Sequence, residues 1–454
     1  MNEPVTEAAV QPVAAAVENE SPENQKLKCS TLVVKVASRC NLNCSYCYMY
    51  NLGDETYRNQ PKVMSRKTLR KTVDRAYEHC VDNNLRVFIF IFHGGEPLLA
   101  GKEFFKEFTS YAREKFSNIK IKLLFAMQTN ATLLTPDWAD FLGECDISLG
   151  ISLDGVKEVN DMHRVDHAGK GSYDRIIEGI RNAQASEKMV YKPAVLSVIN
   201  LKANPEETYH HVKSLNVPGV SFLLPDGNYD KLSLLREGYN SETPYADWLI
   251  KIFDLWYNDN KEKNKFDIDM FTGFIKGLLG GRVPSDAGGN DNNDVLVIET
   301  NGGIEAVDVL KTCGHGFTKA GATVFSHSFD EAMETPLAKM YLTSNWKTCN
   351  QCRLCPISNI CGSGYLPHRY SSENGFNNPS IYCLDYLKLI THIQNRVVDD
   401  LPEQVKQESE VEKLTYEEAR ELLNEAIAEA AVLDNPYAAE MESFAKKSNE
   451  LVAV

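Results

Sequence analysis

The chain has 454 residues, 43% hydrophobic and 24% charged, enough for two or three globular domains with a large core. Lys and Arg total 48 against 63 Asp and Glu, a formal charge of -15. That balance argues against nonspecific nucleic-acid binding and is compatible with a basic peptide or a small-molecule partner. No apolar run approaches the ~20 residues of a membrane span, and the N-terminus lacks the charged start and apolar core of a signal peptide. A cytoplasmic protein with no membrane partner is therefore expected. In that reducing compartment its twelve cysteines are metal ligands or buried thiols rather than disulfides.

In chain order, residues 1–28 read as an acidic, disordered leader. From Thr31, short β-rich runs alternate with amphipathic stretches. Strands are expected at 31–37, 86–93, 120–130, 147–155, 192–200 and 219–225, with helices such as 65–81 and 172–186 between them. The pattern predicts an α/β fold over 29–230: six parallel strands with right-handed crossovers, open or curved into a partial (β/α)6 TIM-like barrel. A site in such a sheet lies at the C-terminal ends of the strands. Residues 231–312 read as a bridging region with a helix at 245–257. It also holds a hairpin at 294–310, turning at Asn301-Gly302-Gly303. Residues 313–400 hold six of the twelve cysteines and form a small cysteine-rich domain. A polar link and an acidic helical tail, read as a surface appendage, follow over 401–454.

The stretch "ASRCNLNCSYCYMY" at 37–50 sets Cys40, Cys44 and Cys47 just after the first strand. Three thiols are an odd number for disulfides and one short of a tetrahedral zinc site. Three thiolates do suit a cubane iron–sulfur cluster with one iron left open. The alternative is a zinc knuckle with its fourth ligand elsewhere. The C-x3-C-x2-C spacing, with Tyr46 before the last cysteine, resembles the signature of the radical S-adenosylmethionine (radical SAM) enzymes. The resemblance implies a 4Fe–4S cluster that binds S-adenosylmethionine and cleaves it reductively to a 5′-deoxyadenosyl radical. "HGGEP" at 93–97 ends the second expected strand, where glycines let backbone approach a ligand closely. The resemblance assigns Gly94, Gly95 and Glu96 to the methionine ammonium. Gln128, Ser152 and Arg164 match cofactor-binding residues of the peptide- and sulfatase-modifying branch, Arg164 suiting the methionine carboxylate. A surface salt bridge is the plainer reading of Arg164, and His163 and Asp154 read as structural.

"CNQCRLCPISNICGSGYLPHRYSSENGFNNPSIYC" resembles the auxiliary-cluster module called SPASM. Cys352, Cys355, Cys361 and Cys383 match retained positions of that pattern. Tyr365 stands at a lost one, and Thr300 and Val307 stand near the hairpin positions of two further thiolates. The resemblance implies one auxiliary 4Fe–4S cluster on Cys352, Cys355, Cys361 and Cys383, with a zinc site on the same thiols as the alternative. Cys313 and Cys349 are spare ligands or buried thiols, while Cys29, Cys80 and Cys145 look like ordinary thiols. Sulfatase-maturing relatives carry a proton-accepting aspartate where this chain has Asn301. "FLLPDGNYD" (222–230) and the segment around "CGSGYLPHRY" look instead like the cyclophane-forming peptide maturases of FxsB and GrrM type. These imply a carbon–carbon crosslink between an aromatic side chain and the β-carbon of a nearby residue. The implied partners are a ribosomally made precursor peptide and an electron donor such as flavodoxin or ferredoxin. Asp226 and Asp230 are candidate bases or peptide contacts, with a turn role for either as the alternative. Sulfatase maturation, thioether formation and a non-catalytic metal-binding interaction protein remain as competing readings.

Overall fold

A computed structural model describes residues 22–261, 266–283, 285–409 and 412–446. Most of the expected leader (1–21) and the last eight residues of the tail lie outside the described residues. The expected strands form β1 (Thr31–Ala37), β2 (Val87–Gly94), β3 (Lys122–Thr129), β4 (Ile147–Ser152), β5 (Ala194–Val198) and β6 (Gly219–Leu223). All pair in parallel and in sequence order. Four of the expected strands overran. Residues 130, 153–155, 199–200 and 224–225 leave the ladder and become the loops that form the mouth of the sheet.

The sheet is wider than six strands. The region expected to bridge two domains adds β7 (Asp267–Ile268) beside β6 and β8 (Val295–Ile298) in parallel beside β1. The short β9 (Ile304–Glu305) then runs antiparallel to β8. The hairpin at 294–310 therefore closes an edge of the main sheet. Without it, the buried strand β1 would leave a row of backbone groups unpaired.

Period-two alternation decides what each strand shows to either side. On β2, Phe88, Phe90 and Phe92 are fully buried on the outer face. There they meet Phe105 and Phe108 of the helix Lys102–Lys115, with ring centroids 4.9–5.1 Å apart for three of the pairs. Edge-on pairs of this kind contribute about 0.5–1.5 kcal/mol each beyond area burial. His93 stands on the opposite, inner face, level with Lys35 of β1 in the register of the two strands. The helix Arg66–Asp82 begins where Ser65 Oγ accepts from the Thr68 amide, and Thr135 and Asn204 cap two further helices the same way. Beyond the sheet, the helix Cys383–Asp400 packs on the helices Pro244–Lys261 and Tyr416–Ala430, the last opened by a capping box at Thr415. Among the described residues no helix is long and apolar enough to cross a membrane.

Candidate active site

At the C-terminal ends of the strands lies a cavity of about 850 Å3. Cys40, Cys44, Cys47, Tyr46, Gly94, Gly95, Gln128, Ser152, Arg164 and Asp226 all line it, although they come from strand ends and loops spread over nearly 190 residues. Cys40 Sγ accepts from the Leu42 amide at 3.4 Å and from Asn130 Nδ2 at 3.7 Å. Burial pushes Cys40 and Cys47 up to about 12, and Cys44 upward too, so three thiolates here require a strongly cationic partner. Among the described residues no three His, Cys, Asp or Glu side chains meet at single-ion spacing. The ligands of a cubane need not meet, because each binds a different corner.

The two glycines close the cradle. A Cβ on Gly94, whose φ is +135°, would lie 2.1 Å from the Ala37 carbonyl oxygen, and one on Gly95 would lie 2.3 Å from that of Arg39. Freed of side chains, the end of β2 hydrogen-bonds to the cysteine loop: Gly95 N donates to Ala37 O at 2.9 Å and Glu96 N to Arg39 O at 3.0 Å. Gln128 Nε2 donates to Ser152 Oγ at 2.8 Å, bringing the ends of β3 and β4 together. Arg164 is 7% exposed, so it is no surface ion pair. Its Nη1 donates to the Tyr46 hydroxyl at 2.9 Å, that hydroxyl donates to Asp154, and Nε has no partner among the described residues. Asp154 also takes the Val198 amide at 3.0 Å and His163 bonds Ser45 at 2.7 Å, the structural roles expected of both.

Glu96 departs from expectation. It is fully buried outside the cavity lining. Its carboxylate accepts from Leu98 N at 3.0 Å, Thr129 Oγ1 at 2.7 Å and Asn130 N at 2.9 Å. Those donors occupy the carboxylate, which braces the end of β2 against that of β3. The two expected aspartates also part company. Asn228 Oδ1 accepts from the amides of Asp230 and Lys231 at 3.1 and 3.0 Å, a side-chain turn that reverses the chain between them. Asp230 faces outward, its carboxylate accepting from Ser372 N at 2.9 and 3.0 Å and from Ser372 Oγ at 3.1 Å, and it lines neither cavity. It pins a loop of the cysteine-rich region and is not placed to act as a base.

Asp226 turns inward. It lines the first cavity and also a second, of about 1280 Å3, with Tyr48, His93, Asp308, Tyr365 and His368. Its carboxylate has no hydrogen-bond partner among the described residues. Burial, then the nearby Asp308, push it up to about 7. Behind this wall runs a network that sequence reading missed. Lys35, fully buried on β1, lies 3.3 Å from Glu299 and 3.0 Å from Asp308. Lys311 lies 2.9 Å from Glu299 and 3.0 Å from Glu305, which also pairs with Lys319. Tyr48, next to Cys47, donates to Asp308 at 2.6 Å, and Lys35 holds that carboxyl well below the usual range. The network fills the hairpin base beside Thr300 and Val307. The one sequence signal was the lone lysine in "TLVVKVA". Asn301 sits at the exposed hairpin tip, accepting from Gly303 N at 2.9 Å, outside both cavities.

Cys352, Cys355, Cys361 and Cys383 line one further pocket of about 340 Å3. Gly362 follows at φ +56°, where a Cβ would lie 1.8 Å from the Gly289 carbonyl oxygen, so only glycine lets the chain turn here. Tyr365 faces the large cavity instead. Cys349 lies beside Cys352 but outside the lining, and Cys313 is buried elsewhere. Arg369 is fully buried and donates to the carbonyls of Ser344 at 2.7 Å and Lys347 at 3.1 Å. Burial pushes its pKa down and the thiols of Cys352, Cys349 and Cys361 push it back up, so Arg369 places a positive charge near these sulfurs without lining the pocket.

The helical tail is no appendage, for Leu423 closes this pocket. Asn350 of the cysteine-rich segment also donates to the tail carbonyls of Ala430 and Leu433 at 3.3 and 2.6 Å. After reconstitution with iron and sulfide, a chain ending at Asp400 is expected to release iron in air several-fold faster than the full chain. Iron release with a colorimetric chelator measures it, and equal rates would show that Leu423 is not a seal.

The sequence model of the Radical SAM superfamily matches residues 34–215, which span β1 through the helix Pro205–Ser214 and so carry the three-cysteine loop and the glycine cradle. The chain carries a radical SAM domain. It is therefore an enzyme of the radical SAM type, a family whose cofactors are S-adenosylmethionine and 4Fe–4S clusters. The chain is 27% identical over 361 residues to the cysteine-type anaerobic sulfatase-maturating enzyme of Clostridium novyi (strain NT), covering 78% of this chain and 92% of the relative. The solved structure of native anSMEcpe with bound AdoMet superposes with a TM-score of 0.70 at 25% identity, over 81% of this chain and 98% of that one. Streptococcus suis SuiB bound to precursor peptide SuiA shares the fold, with a TM-score of 0.51 at 16% identity, over 76% of this chain and 73% of SuiB. The radical SAM enzyme is thus related to peptide- and protein-modifying enzymes.

Proposed function

We propose that this radical SAM enzyme closes a carbon–carbon, cyclophane-type crosslink between an aromatic side chain and the β-carbon of a nearby residue in a ribosomally made precursor peptide. One observation carries the reading: Asp226, a carboxylate without a hydrogen-bond partner among the described residues and pushed up to about 7 by burial, lines both the cofactor cavity and the large one. S-adenosylmethionine bound at an iron–sulfur cluster supplies a 5′-deoxyadenosyl radical that removes a hydrogen atom. Cys40, Cys44 and Cys47 hold that cluster, its sulfurs steadied by the Leu42 and Asn130 donors. Gly94 and Gly95 leave room for the methionine ammonium, and Arg164 offers its unpaired Nε to the methionine carboxylate. Gln128 and Ser152 border the same cavity, with Tyr46 fixing the angle of Arg164.

Once a carbon radical has added to an aromatic ring, one proton and one electron must leave to restore aromaticity. Asp226 takes the proton. Cys352, Cys355, Cys361 and Cys383 would hold an auxiliary 4Fe–4S cluster, which would supply an acceptor for the electron, with Arg369 as a nearby positive charge. A donor such as flavodoxin or ferredoxin supplies the electron that starts each turnover. The sulfatase-maturating relatives favour a second reading, in which the same carboxylate deprotonates a serine or cysteine of a substrate protein and the product is an aldehyde.

The test uses a precursor peptide deuterated at Cβ of the residue to be linked. One deuterium is expected in 5′-deoxyadenosine, and a peptide lighter by two hydrogens with its thiols intact. An aldehyde product establishes the second reading instead. Transfer from Cα points to thioether chemistry and overturns the first.

A further inference from the structure

Four carboxylates face the large cavity, Asp226, Asp269, Asp286 and Asp308, and the described residues that line it include no lysine or arginine. Asp308 is neutralised from behind by Lys35. The other three have no cation within ion-pair distance among the described residues. Asp286 takes the Tyr341 hydroxyl at 3.0 Å, and Asp269 takes the Met270 amide at 2.8 Å and the Ser221 hydroxyl. Burial pushes all three upward, the mark of carboxylates that lack a counter-charge.

A second observation is independent of the acids. His368 lines the same cavity at 2% exposure, and neither ring nitrogen has a partner among the described residues. Burial holds it neutral, pushed down to about 3, so it adds no positive charge and leaves one nitrogen as an unused acceptor. The rest of the wall is largely apolar, mixing aliphatic side chains such as Leu196, Leu224 and Val283 with the rings of Phe222, Phe274 and Tyr386. Carboxylates lacking cations, an unused acceptor and ring faces together form a receptor for a positively charged side chain.

We infer that the large cavity is a subsite for a lysine or arginine side chain of the substrate peptide, held between Asp269 and Asp286 beside the residue undergoing reaction. This rests on the peptide reading above. The flexible stem of such a side chain suits the apolar part of the wall, and its charge offsets the repulsion among the acids. Peptides lacking a basic residue near the reactive pair leave those carboxylates without a counter-charge and so forgo that attraction.

The test compares two synthetic peptides, acetyl-Trp-Gly-Lys-amide and its norleucine counterpart, which differ only by the ammonium group. Each is titrated calorimetrically into reconstituted enzyme loaded with S-adenosylmethionine. The lysine peptide is expected to bind about tenfold tighter in low salt, with the advantage shrinking as salt rises. Asp286→Asn and Asp269→Asn should each cut that preference several-fold while leaving S-adenosylmethionine affinity unchanged, since neither residue lines the cofactor cavity. Equal binding of the two wild-type titrations, or tighter binding of norleucine, overturns the subsite while leaving the peptide reading standing. If neither peptide binds an enzyme that still takes S-adenosylmethionine, the peptide reading falls and the subsite with it.

Discussion

Replacing Cys40, Cys44 and Cys47 together by alanine is expected to reduce 5′-deoxyadenosine formation to the reagent background. The three thiols are the only cysteines lining the cofactor cavity, so no neighbouring sulfur can substitute. Iron in anaerobically reconstituted protein should fall from about eight to about four per chain, because the separate pocket of Cys352, Cys355, Cys361 and Cys383 is untouched. The fold should survive. The thiols sit in a partly exposed loop outside the ladder of β1, and the Phe-rich core lies on the far face of the sheet. Chromatographic assay of 5′-deoxyadenosine with iron analysis measures both quantities. Undiminished nucleoside from the triple variant would dismiss the assignment. Loss of all the iron would mean that the second pocket does not load independently.

Asp226→Asn is expected to lower crosslinked product by ~10²–10⁴-fold, the usual worth of a positioned general base, while 5′-deoxyadenosine still forms. The pH dependence has a definite sign. A carboxyl whose pKa is raised to about 7 is mostly protonated below that value and cannot accept a proton. Product formation should therefore rise as pH climbs through about 7 and then level off, and the asparagine variant should lose that limb. Stability runs the other way. Between the ordinary carboxylate range and about 7 the folded chain binds more protons than the unfolded one, so wild-type stability falls as pH rises there. Asp226→Asn should remove that loss and unfold at higher denaturant than wild type at pH 8. A variant with a full-rate, wild-type pH profile would remove Asp226 from the chemistry.

The parallel strands were legible because each is a short apolar run between amphipathic segments, and the cysteine loop because its spacing is rare outside cluster sites. What the sequence hid depends on contacts between distant segments. Nothing near Glu96 shows that Thr129 and Asn130, more than thirty residues on, take up its carboxylate. Asp226 and Asp230 look alike in "PDGNYD", and only the turn at Asn228 sends one inward and the other to Ser372. Lys35 was visible as a charge in an apolar strand, but its partners Glu299 and Asp308 lie over 260 residues away. Leu423 belongs to a helix whose composition suggests only solvent, until the pocket it covers is known.

The buried lysine–carboxylate network changes what oxygen can do to this enzyme. It joins three cations to three carboxylates at the base of the β8–β9 hairpin. Side chains need no assembly machinery, and air does not strip them. That junction is complete as soon as the polypeptide folds, before any sulfide or iron is delivered. Oxidative damage that empties the cysteine sites should leave the wall beside Asp226 standing. Repair then becomes a matter of reloading metal into a finished frame.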